Sequence, residues 1–392
     1  MDNRITPYQM LSERMARSII RRADVELTDY TYVTGLGLEC VGRCASALHH
    51  EEWWTWVGEW FGHFLHENGE LDGYSIEEYS FDQLSPGKCF FHLYQVTGNP
   101  KYKIAMDIMY QQILTQPRTQ SGGFWHKKIY PNQMWLDGLY MYGTFLMQYA
   151  SLYGDFPHAV REMVFQFGLM YEKALNSRNG LLYHAWDESR KMPWSDIHTG
   201  CSSCVWGRAE GWYCMALVEV LDLIPETKEF SAPRARLIEL SNRLAQALFA
   251  VQDDESGLWY QVLDQGGRMY NYLETSASTM FVYFLFHMVH RGYAYHPEIV
   301  RKAAWMGWKG LLKYKVTSDE DGELHMKDIC KGAGVGQYAL DKPYRDGTYE
   351  YYTEREPKVM DNPQGTGVFI LAALEVAQEP VNGMEKSPES LR

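Results

Sequence analysis

The chain repeats one helical unit at intervals of about 60 to 80 residues, and this repeat constrains the fold more than any other feature. Each unit has an amphipathic helix, a turn in which glycine precedes aromatic residues, and a second helix that begins with Trp, Asp, Arg or Tyr. Units of this kind stack and bury a core that no single unit can form. The clearest turns are residues 122–126, 180–184 and 257–261, with a degenerate fourth at 322–325.

Two earlier helices, starting near Tyr32 and Asp82, fit the scheme without the glycine turn and bring the number of second helices to six. Six helical hairpins that close into a ring place six helix starts at one end of the inner wall. The sequence therefore predicts an all-α fold, an (α/α)6 barrel with short strand-like segments in its loops, and chemistry at that end. The predicted inner helices are 34–47, 84–97, 135–153, 206–223, 275–291 and 364–377, and the outer ones 8–22, 52–66, 101–114, 157–175, 234–251 and 297–314.

The repeats favour a single catalytic domain over residues 1–379, followed by a polar tail at 380–392 that reads as disordered. The longest non-helical stretch runs over residues 315–363. Its glycine-rich segment 332–336 lacks the Lys-Ser pair of a phosphate loop. Loops of this length in compact domains usually have a function, so we expect this one to wall the pocket, with residues 344–349 near its rim.

Aromatic residues make up 15% of the chain, with 13 Trp and 28 Tyr, which is more flat apolar surface than a helical core requires. Aromatic faces pack on the C–H faces of sugars, so part of this surface is expected to line a ligand groove, the alternative being that it is all core. The formal net charge is 37 − 50 = −13 without a basic stripe, which argues against nucleic acid as a partner.

The N-terminal residues lack the apolar region of a signal peptide, and nowhere do about 18 apolar residues run together as in a membrane span. Seven cysteines form no disulfide framework, which is typical of a reducing compartment. Cys201 and Cys204 have the C-x-x-C spacing but lack the second pair that zinc needs. We therefore predict a cytoplasmic protein without a membrane partner, a metal or a cofactor.

Asp82, His126, Asp137, His184 and Arg208 each lie beside the start of an inner helix or in a glycine turn. In a closed ring these positions converge. Buried groups of these types are costly unless they are paired, and they cluster at functional sites. For each residue alone a structural role is the better interpretation, but their common location favours a site.

Asp137 stands in the first turn of its helix, with Tyr140 and Met141 on the same face at i+3 and i+4. An aspartate there is also explained as a cap or as a first-turn carboxylate that the helix dipole favours. A cap does not need an aromatic surround, so Asp137 is the first candidate for catalysis.

Seven segments combine into one pattern: 122–126, 133–141, 180–187, 206–212, 257–261, 274–278 and 344–347. Taken together, they resemble glycoside hydrolase family 105, the unsaturated rhamnogalacturonyl hydrolases. The resemblance implies an (α/α)6 barrel, in agreement with the repeat count. It also implies removal of the 4,5-unsaturated uronic acid that polysaccharide lyases leave at the non-reducing end, by hydration of the double bond.

The resemblance makes Asp137 the acid/base residue. Its other implied pocket residues are substrate-binding, and we add two tryptophans from the same motifs. The predicted substrate-binding set is Tyr32, Asp82, His126, Trp135, His184, Trp206, Arg208 and Trp212.

One carboxylic acid suffices for this chemistry because the substrate is an enol ether. Protonation at C4 creates an oxocarbenium-like centre at C5, and the same group then deprotonates the water that adds there. Asp137 must carry a proton for this, which burial and a nearby Asp82 would favour. Arg208, with His126 and His184, is expected to hold the uronate carboxylate or sugar hydroxyls.

Three alternatives stay open at this point. Asp82 and Asp137 would serve an ordinary inverting glycosidase if their carboxyl groups were about 6.5 to 9.5 Å apart. A sugar 2-epimerase on a similar barrel would use His126 and His184 for proton transfer. The aromatic content alone is also compatible with a non-catalytic sugar-binding protein. The sequence leaves galacturonyl and glucuronyl substrates, the next sugar and protein partners undecided.

Overall fold

A computed structural model describes residues 6–380 of the 392. The predicted tail therefore lies, except for Pro380, outside the described residues. Within that range the helices are α1 (Pro7–Glu26), α2 (Tyr32–Leu48), α3 (Glu51–Phe61), α4 (Phe81–Leu84), α5 (Cys89–Thr97), α6 (Pro100–Thr115), α7 (Leu136–Tyr153), α8 (Phe156–Ala174), α9 (Gly207–Leu223), α10 (Ser231–Ala250), α11 (Thr275–His290), α12 (Pro297–Tyr314) and α13 (Pro363–Val376). The strands are β1 (Gln133–Trp135), β2 (Ala185–Asp187), β3 (Val316–Ser318), β4 (Leu324–Met326), β5 (Ile329–Cys330) and β6 (Lys358–Val359), paired as β1–β2, β3–β4 and β5–β6.

The inner helices form a closed ring. The segment from α4 to α5 packs on α2 and α7, then α7 packs on α9, α9 on α11, and α11 on α13, which returns to α2. Helices α1, α3, α6, α8, α10 and α12 cover the ring from outside. At the seam between α2 and α13, Gly367 faces Gly37 and Cys40 so closely that a Cβ at 367 would lie 3.7 Å from the Gly37 Cα. The predicted (α/α)6 barrel is confirmed.

Inner and outer helices differ in how they are buried, as the ring requires. Every residue of α11 from Thr275 to Val289 is buried, because this helix has neighbours on all sides. Outer helix α12 buries one stripe, which includes Val300, Ala304 and Leu311, and leaves its other face to solvent. The sequence predicted the two layers from the alternation of amphipathic helices with helices that follow the turns, and the all-round burial of the inner layer agrees with that assignment.

The second inner helix is broken, so the prediction of one continuous helix over 84–97 is wrong. A 3-10 turn, Ser85–Lys88, separates α4 from α5. Pro86 lies in this turn, and proline has no N–H for the α-helical hydrogen bond. The break begins the inner wall earlier than expected and places Asp82 on the short helix α4.

The glycine that opens each repeated turn has a left-handed backbone. Gly122, Gly180, Gly257 and Gly322 have φ values of 92°, 79°, 73° and 78°. Glycine adopts this region without the steric cost that a side chain adds. The turn reverses the chain between an outer helix and the next inner helix, as in the antiparallel bridge of Leu175 with Leu182. The repeat seen in the sequence is thus a conformational requirement.

Two hydrophobic clusters make up the described interior. The larger one contains residues from Tyr8 to Val376 and fills the ring and the space under the outer helices. The smaller one, which we call the loop cluster, consists of Tyr130, Trp135, Ala185, Trp194 and Val335. It belongs to the loops and short strands beside the starts of the inner helices, and it builds one wall of the site described next. None of the helices in residues 6–380 has both the length and the apolar composition of a membrane span.

Candidate active site

The pairing of β1 with β2 brings Asp137 and His184 together. Trp135 pairs with Ala185, and the Leu136 N–H donates to the His184 carbonyl over 3.1 Å, directly before Asp137. The Nε2 of His184 lies 3.2 Å from Oδ2 of Asp137, but without the alignment of a hydrogen bond. Oδ2 is buried and has no hydrogen-bond partner among residues 6–380, so it is available to exchange a proton with a substrate.

His184 is held from its other side by Tyr352. The phenol oxygen lies 2.7 Å from Nδ1, and both side chains are fully buried. Burial raises the pKa of Tyr352 well above its usual value, so the phenol keeps its proton. A hydroxyl that donates to Nδ1 leaves the ring hydrogen on Nε2, the nitrogen that faces Asp137. Tyr352 lies in a π-helical turn (Tyr351–Arg355) of the long loop.

Asp82 is the second carboxylate of the site, and it is paired. The Phe81 N–H donates to the His126 carbonyl over 3.3 Å, which brings α4 to the first glycine turn. Asp82 Oδ1 lies 3.3 Å from His126 Nε2, and Oδ2 contacts the Lys127 ammonium. Burial alone would raise the pKa of Asp82, but Lys127 and His126 outweigh it and hold that pKa well below its usual range. Asp82 is therefore an anion at neutral pH.

Trp135 forms the apolar wall beside these groups. Its ring stacks on His126 with a centroid separation of 4.7 Å and on Tyr130 with the same separation. The edge of His184 meets it at 5.3 Å. The indole thus touches the rings on both sides of the site, and a flat surface of this kind suits the C–H face of a sugar.

Trp206 lies on the other side of His184, with 4.8 Å between the ring centroids. Gln261 orients it, because the indole N–H donates to the Gln261 Oε1 over 3.1 Å while the amide nitrogen of Gln261 donates to the Tyr352 carbonyl over 3.1 Å. His126, His184 and Gln261 are each the fourth residue after a turn glycine. The repeat therefore places three equivalent side chains around the site, a signal that the sequence interpretation used only for the two histidines.

Arg208 has protein partners on all of its nitrogens. Its Nε donates to Ser276 Oγ over 2.8 Å, Nη1 to Gln364 Oε1 and Nη2 to the Cys330 carbonyl. Glu274 lies 3.6 Å away, and both side chains are fully buried. This guanidinium is already committed to the protein, which does not favour the expectation that it holds the substrate carboxylate.

Tyr32 links the two carboxylates to the Arg208 network. The Gln364 amide donates to its phenol oxygen over 2.9 Å. Burial raises the pKa of Tyr32, and the nearby charges of Asp82 and Asp137 raise it further.

Trp212 lies elsewhere in the barrel, where its indole packs on the Tyr140 ring with 4.5 Å between the centroids. Among the contacts of the described residues, none joins Trp212 to the Asp137 group.

Several residues that shape the site were not predicted. Lys127 directly follows His126, and a cation was to be expected beside a buried aspartate. Glu274 and Gln364 stand at the starts of α11 and α13, the end of the ring that the repeat singles out. No periodic signal marks Tyr352, because it belongs to the irregular long loop.

Within residues 6–380 one group of side chains has the spacing of a metal site, Asp319, Glu323 and His325. Arg22 pairs with Glu323 at 3.3 Å, and Asp361 lies 2.7 Å from His325 Nδ1. Two of these three hairpin side chains therefore already have protein partners elsewhere in the chain, in α1 and directly before α13.

The geometry of the site disfavours both the inverting pair of carboxylates and the epimerase with two histidines. Asp82 is neutralised by Lys127, which is unfavourable for the base of an inverting pair. His184 uses Nδ1 for Tyr352, and His126 uses Nε2 for Asp82, so neither imidazole is free on both nitrogens. Asp137 is the group with an unengaged oxygen in a wall of aromatic rings. One carboxyl that both gives and takes a proton is what this arrangement can provide.

The chain is similar to known glycoside hydrolases. The model of Glycosyl Hydrolase Family 88 matches residues 11–379. A family 105 glycoside hydrolase from C. acetobutylicum ATCC 824 is 39% identical, with a TM-score of 0.87 over 93% of this chain and 98% of that one. The unsaturated rhamnogalacturonyl hydrolase YesR of Bacillus subtilis (strain 168) is 29% identical over 255 residues, 62% of this chain and 66% of that protein. The unsaturated glucuronyl hydrolase of Bacillus sp. GL1 shares the fold, with a TM-score of 0.65 at 14% identity over 94% and 95% of the two chains.

Proposed function

The chain belongs to Glycosyl Hydrolase Family 88, and from this premise we propose that it removes a 4,5-unsaturated uronic acid from the non-reducing end of lyase-generated oligosaccharides. The family 105 resemblance read from the sequence is confirmed, and the protein is a glycoside hydrolase. The observation that carries the proposed reaction is Asp137, whose buried Oδ2 has no hydrogen-bond partner in the described chain and faces His184.

In the proposed mechanism Asp137 donates its proton to C4 of the enol ether, and positive charge develops at C5 and the ring oxygen. Water then adds to C5 while the Asp137 carboxylate takes one of its protons. The resulting hemiketal opens and releases the rest of the oligosaccharide with a free hydroxyl. His184, which Tyr352 holds, lies beside the Asp137 carboxyl. The Asp82 anion balances the Lys127 cation, so that cation does not oppose the positive charge of the transition state.

We take the leaving sugar to be rhamnose and the uronate to be galacturonyl, as in pectin-derived rhamnogalacturonan. The support is the function of YesR, which is 29% identical to this chain. The cytoplasmic location is part of the same proposal. It is supported by seven free, buried cysteines, as expected in a reducing compartment.

The test is the hydration rate of Asp137→Asn on an unsaturated galacturonyl-rhamnose disaccharide, followed by the loss of the ultraviolet absorbance of the enol ether. We expect a fall of about 10² to 10⁴-fold, the usual contribution of a general acid–base group. Residual activity above about a tenth of wild type would remove Asp137 from this role, since general acid–base catalysis contributes more than that.

Glu210→Gln is the matched control. Glu210 is also a buried first-turn acid of an inner helix, and burial raises its pKa to about 8, so the amide replaces a group that is already neutral at pH 7. This variant should keep wild-type activity. A saturated disaccharide should not be cleaved by the wild-type protein, and cleavage of it would favour the ordinary two-carboxylate reaction.

A further inference from the structure

A hairpin of the long loop, residues 336–345, is held in a defined position beside the site. The Gly336 N–H donates to the Arg345 carbonyl over 2.8 Å, and the Arg345 N–H donates back over 3.3 Å. The Gln337 amide donates to the Lys342 carbonyl over 2.7 Å and ties the two arms near the tip. At the base, Val335 is a member of the loop cluster, and Tyr344 packs on that cluster.

Arg345 lies at the base of this hairpin, over the Trp135 ring, with 5.8 Å from its guanidinium carbon to the ring centroid. Its Nη2 donates to the Tyr130 phenol over 2.6 Å, and its Nε to the Gly336 carbonyl over 3.3 Å. A Cβ at Gly334 would overlap this guanidinium in its present position. The glycine-rich segment, which does not bind phosphate, thus makes room for an arginine.

Arg345 has no close counter-ion. Within residues 6–380 no carboxylate lies at ion-pair distance from it, in contrast to Arg208 with Glu274 and Lys127 with Asp82, and the Glu356 carboxylate interacts with its charge only from further away. The residue is partly buried. A fixed guanidinium without a close counter-ion is a natural partner for a carboxylate, which it binds through paired N–H donors.

Tyr338 extends the same surface outward. Its side chain is 55% exposed, and its ring lies 5.4 Å from the Arg345 guanidinium carbon and 5.6 Å from the Lys127 ammonium. An exposed aromatic face beside a cation suits an acidic sugar, whose C–H face stacks on the ring while its carboxylate meets the charge.

We propose that Arg345 and Tyr338 form an outer subsite that binds the carboxylate of a second uronic acid, beyond the bond that is broken. The inference rests on the proposed function, which places the unsaturated ring at the buried Asp137. Arg345 is partly buried beside the buried Trp135, and Tyr338 is exposed, so this surface leads from the site to solvent and suits the sugars that follow the unsaturated ring. The enzyme then prefers acidic oligosaccharides over a disaccharide with a neutral second sugar.

The experiment compares three unsaturated substrates: a disaccharide with a neutral second sugar, a tetrasaccharide with a further free uronate, and the methyl ester of that tetrasaccharide. For Arg345→Gln we expect kcat/KM on the free acid to fall about tenfold, the scale of one charge-assisted hydrogen bond at a partly exposed site. The disaccharide and the ester should change less than about twofold, since they lack the carboxylate partner. Tyr338→Ala, which changes an exposed side chain, should lower activity on both tetrasaccharides and leave the disaccharide unaffected.

Arg268→Gln is the control for loss of a positive charge. The Arg268 side chain is 48% exposed and pairs with Glu350 of the long loop. Removal of the Arg268 charge should leave the rates on all three substrates unchanged. Arg345→Lys should recover part of the preference for the free acid, because it restores the charge without the planar donors.

An equal loss on all three substrates in Arg345→Gln, or a wild-type preference for the ester over the acid, would overturn the subsite. If the wild-type protein hydrates none of the three, the proposed function itself is wrong. The two failures are distinguishable, because wild-type turnover of the disaccharide supports the function independently of the subsite.

Discussion

Replacing Arg208 by methionine separates its structural role from the ligand-binding role expected from the sequence. Methionine keeps an unbranched apolar chain and removes the guanidinium. The change leaves Ser276 Oγ, Gln364 Oε1 and the Cys330 carbonyl without their donor, and it leaves the fully buried Glu274 without its cation. A structural role therefore predicts a large loss of stability before any ligand is added.

The expected loss follows from the surroundings of Glu274. Breaking a buried ion pair from one side costs about 3 to 5 kcal/mol. Glu274 keeps three backbone donors, the N–H groups of Ser276, Ala277 and Cys330, and it stands at the start of α11, where the helix dipole favours a negative charge. We therefore expect a loss at the low end of that range, about 3 kcal/mol.

The assay is urea unfolding at pH 7, followed by tryptophan fluorescence and far-ultraviolet circular dichroism. Coincident transitions justify a two-state free energy of unfolding. Adding Glu274→Gln to Arg208→Met should restore about 1 to 2 kcal/mol, since the amide is no longer a buried unpaired charge. The reasoning is refuted if Arg208→Met unfolds within about 0.5 kcal/mol of wild type and loses affinity only for ligands that carry the uronate carboxylate.

Two further expectations concern charged pairs. Asp82→Asn should lower the hydration rate, because it leaves Lys127 as an unbalanced cation beside a transition state that develops positive charge; a wild-type rate in steady-state assays would show that the charge of Asp82 does not contribute. Burial opposes the charge of both His287 and Glu375, but their contacts with each other and with Asp222 raise the pKa of His287 from 6.5 to about 9, and the two histidines facing Glu375 lower its pKa from 4.5 to about 2. The His287 contribution to stability is full below pH 6.5 and is lost as pH rises through 9, while that of Glu375 is full above pH 4.5 and is lost as pH falls toward 2. Urea midpoints measured across pH should show a decline above pH 6.5 that His287→Gln reduces, while His290, whose pKa Glu375 and Glu379 also raise against its burial, retains its own part of the decline; an equal decline in both proteins would contradict the assignment.

The ring was predictable because its signals are periodic. Glycines with left-handed backbone recur at fixed places, and inner and outer helices differ in how many of their faces are apolar. The break at Pro86 was missed because the apolar pattern continues across it. A single proline stops the α-helical hydrogen bonds without changing the pattern of buried residues.

The sequence predicted which residues lie at the site end of the ring better than it predicted their hydrogen-bond partners. The sequence placed Asp137, His184 and Asp82 at one end of the ring, where the structure has them. It did not distinguish an arginine that faces a ligand from one that is saturated by protein. That difference depends on Gln364 and Cys330, which lie more than a hundred residues away from Arg208. Contacts of this kind follow from the closed ring and have no signal in the local sequence.

The seam at which α13 meets α2 also bears on how the protein is synthesised. The ribosome synthesises the chain from its N-terminus. Helix α2 therefore leaves the ribosome more than 300 residues before its neighbour α13 (Pro363–Val376). Until then, the edges of α2 and α11 that α13 will cover are open to water or to other chains. At this seam a Cβ on Gly367 would already be in van der Waals contact with Gly37 and Cys40, so the two helices are closely packed once α13 is in place. Closure of the barrel is consequently a late, long-range step, and the incomplete chain is the form most exposed to aggregation.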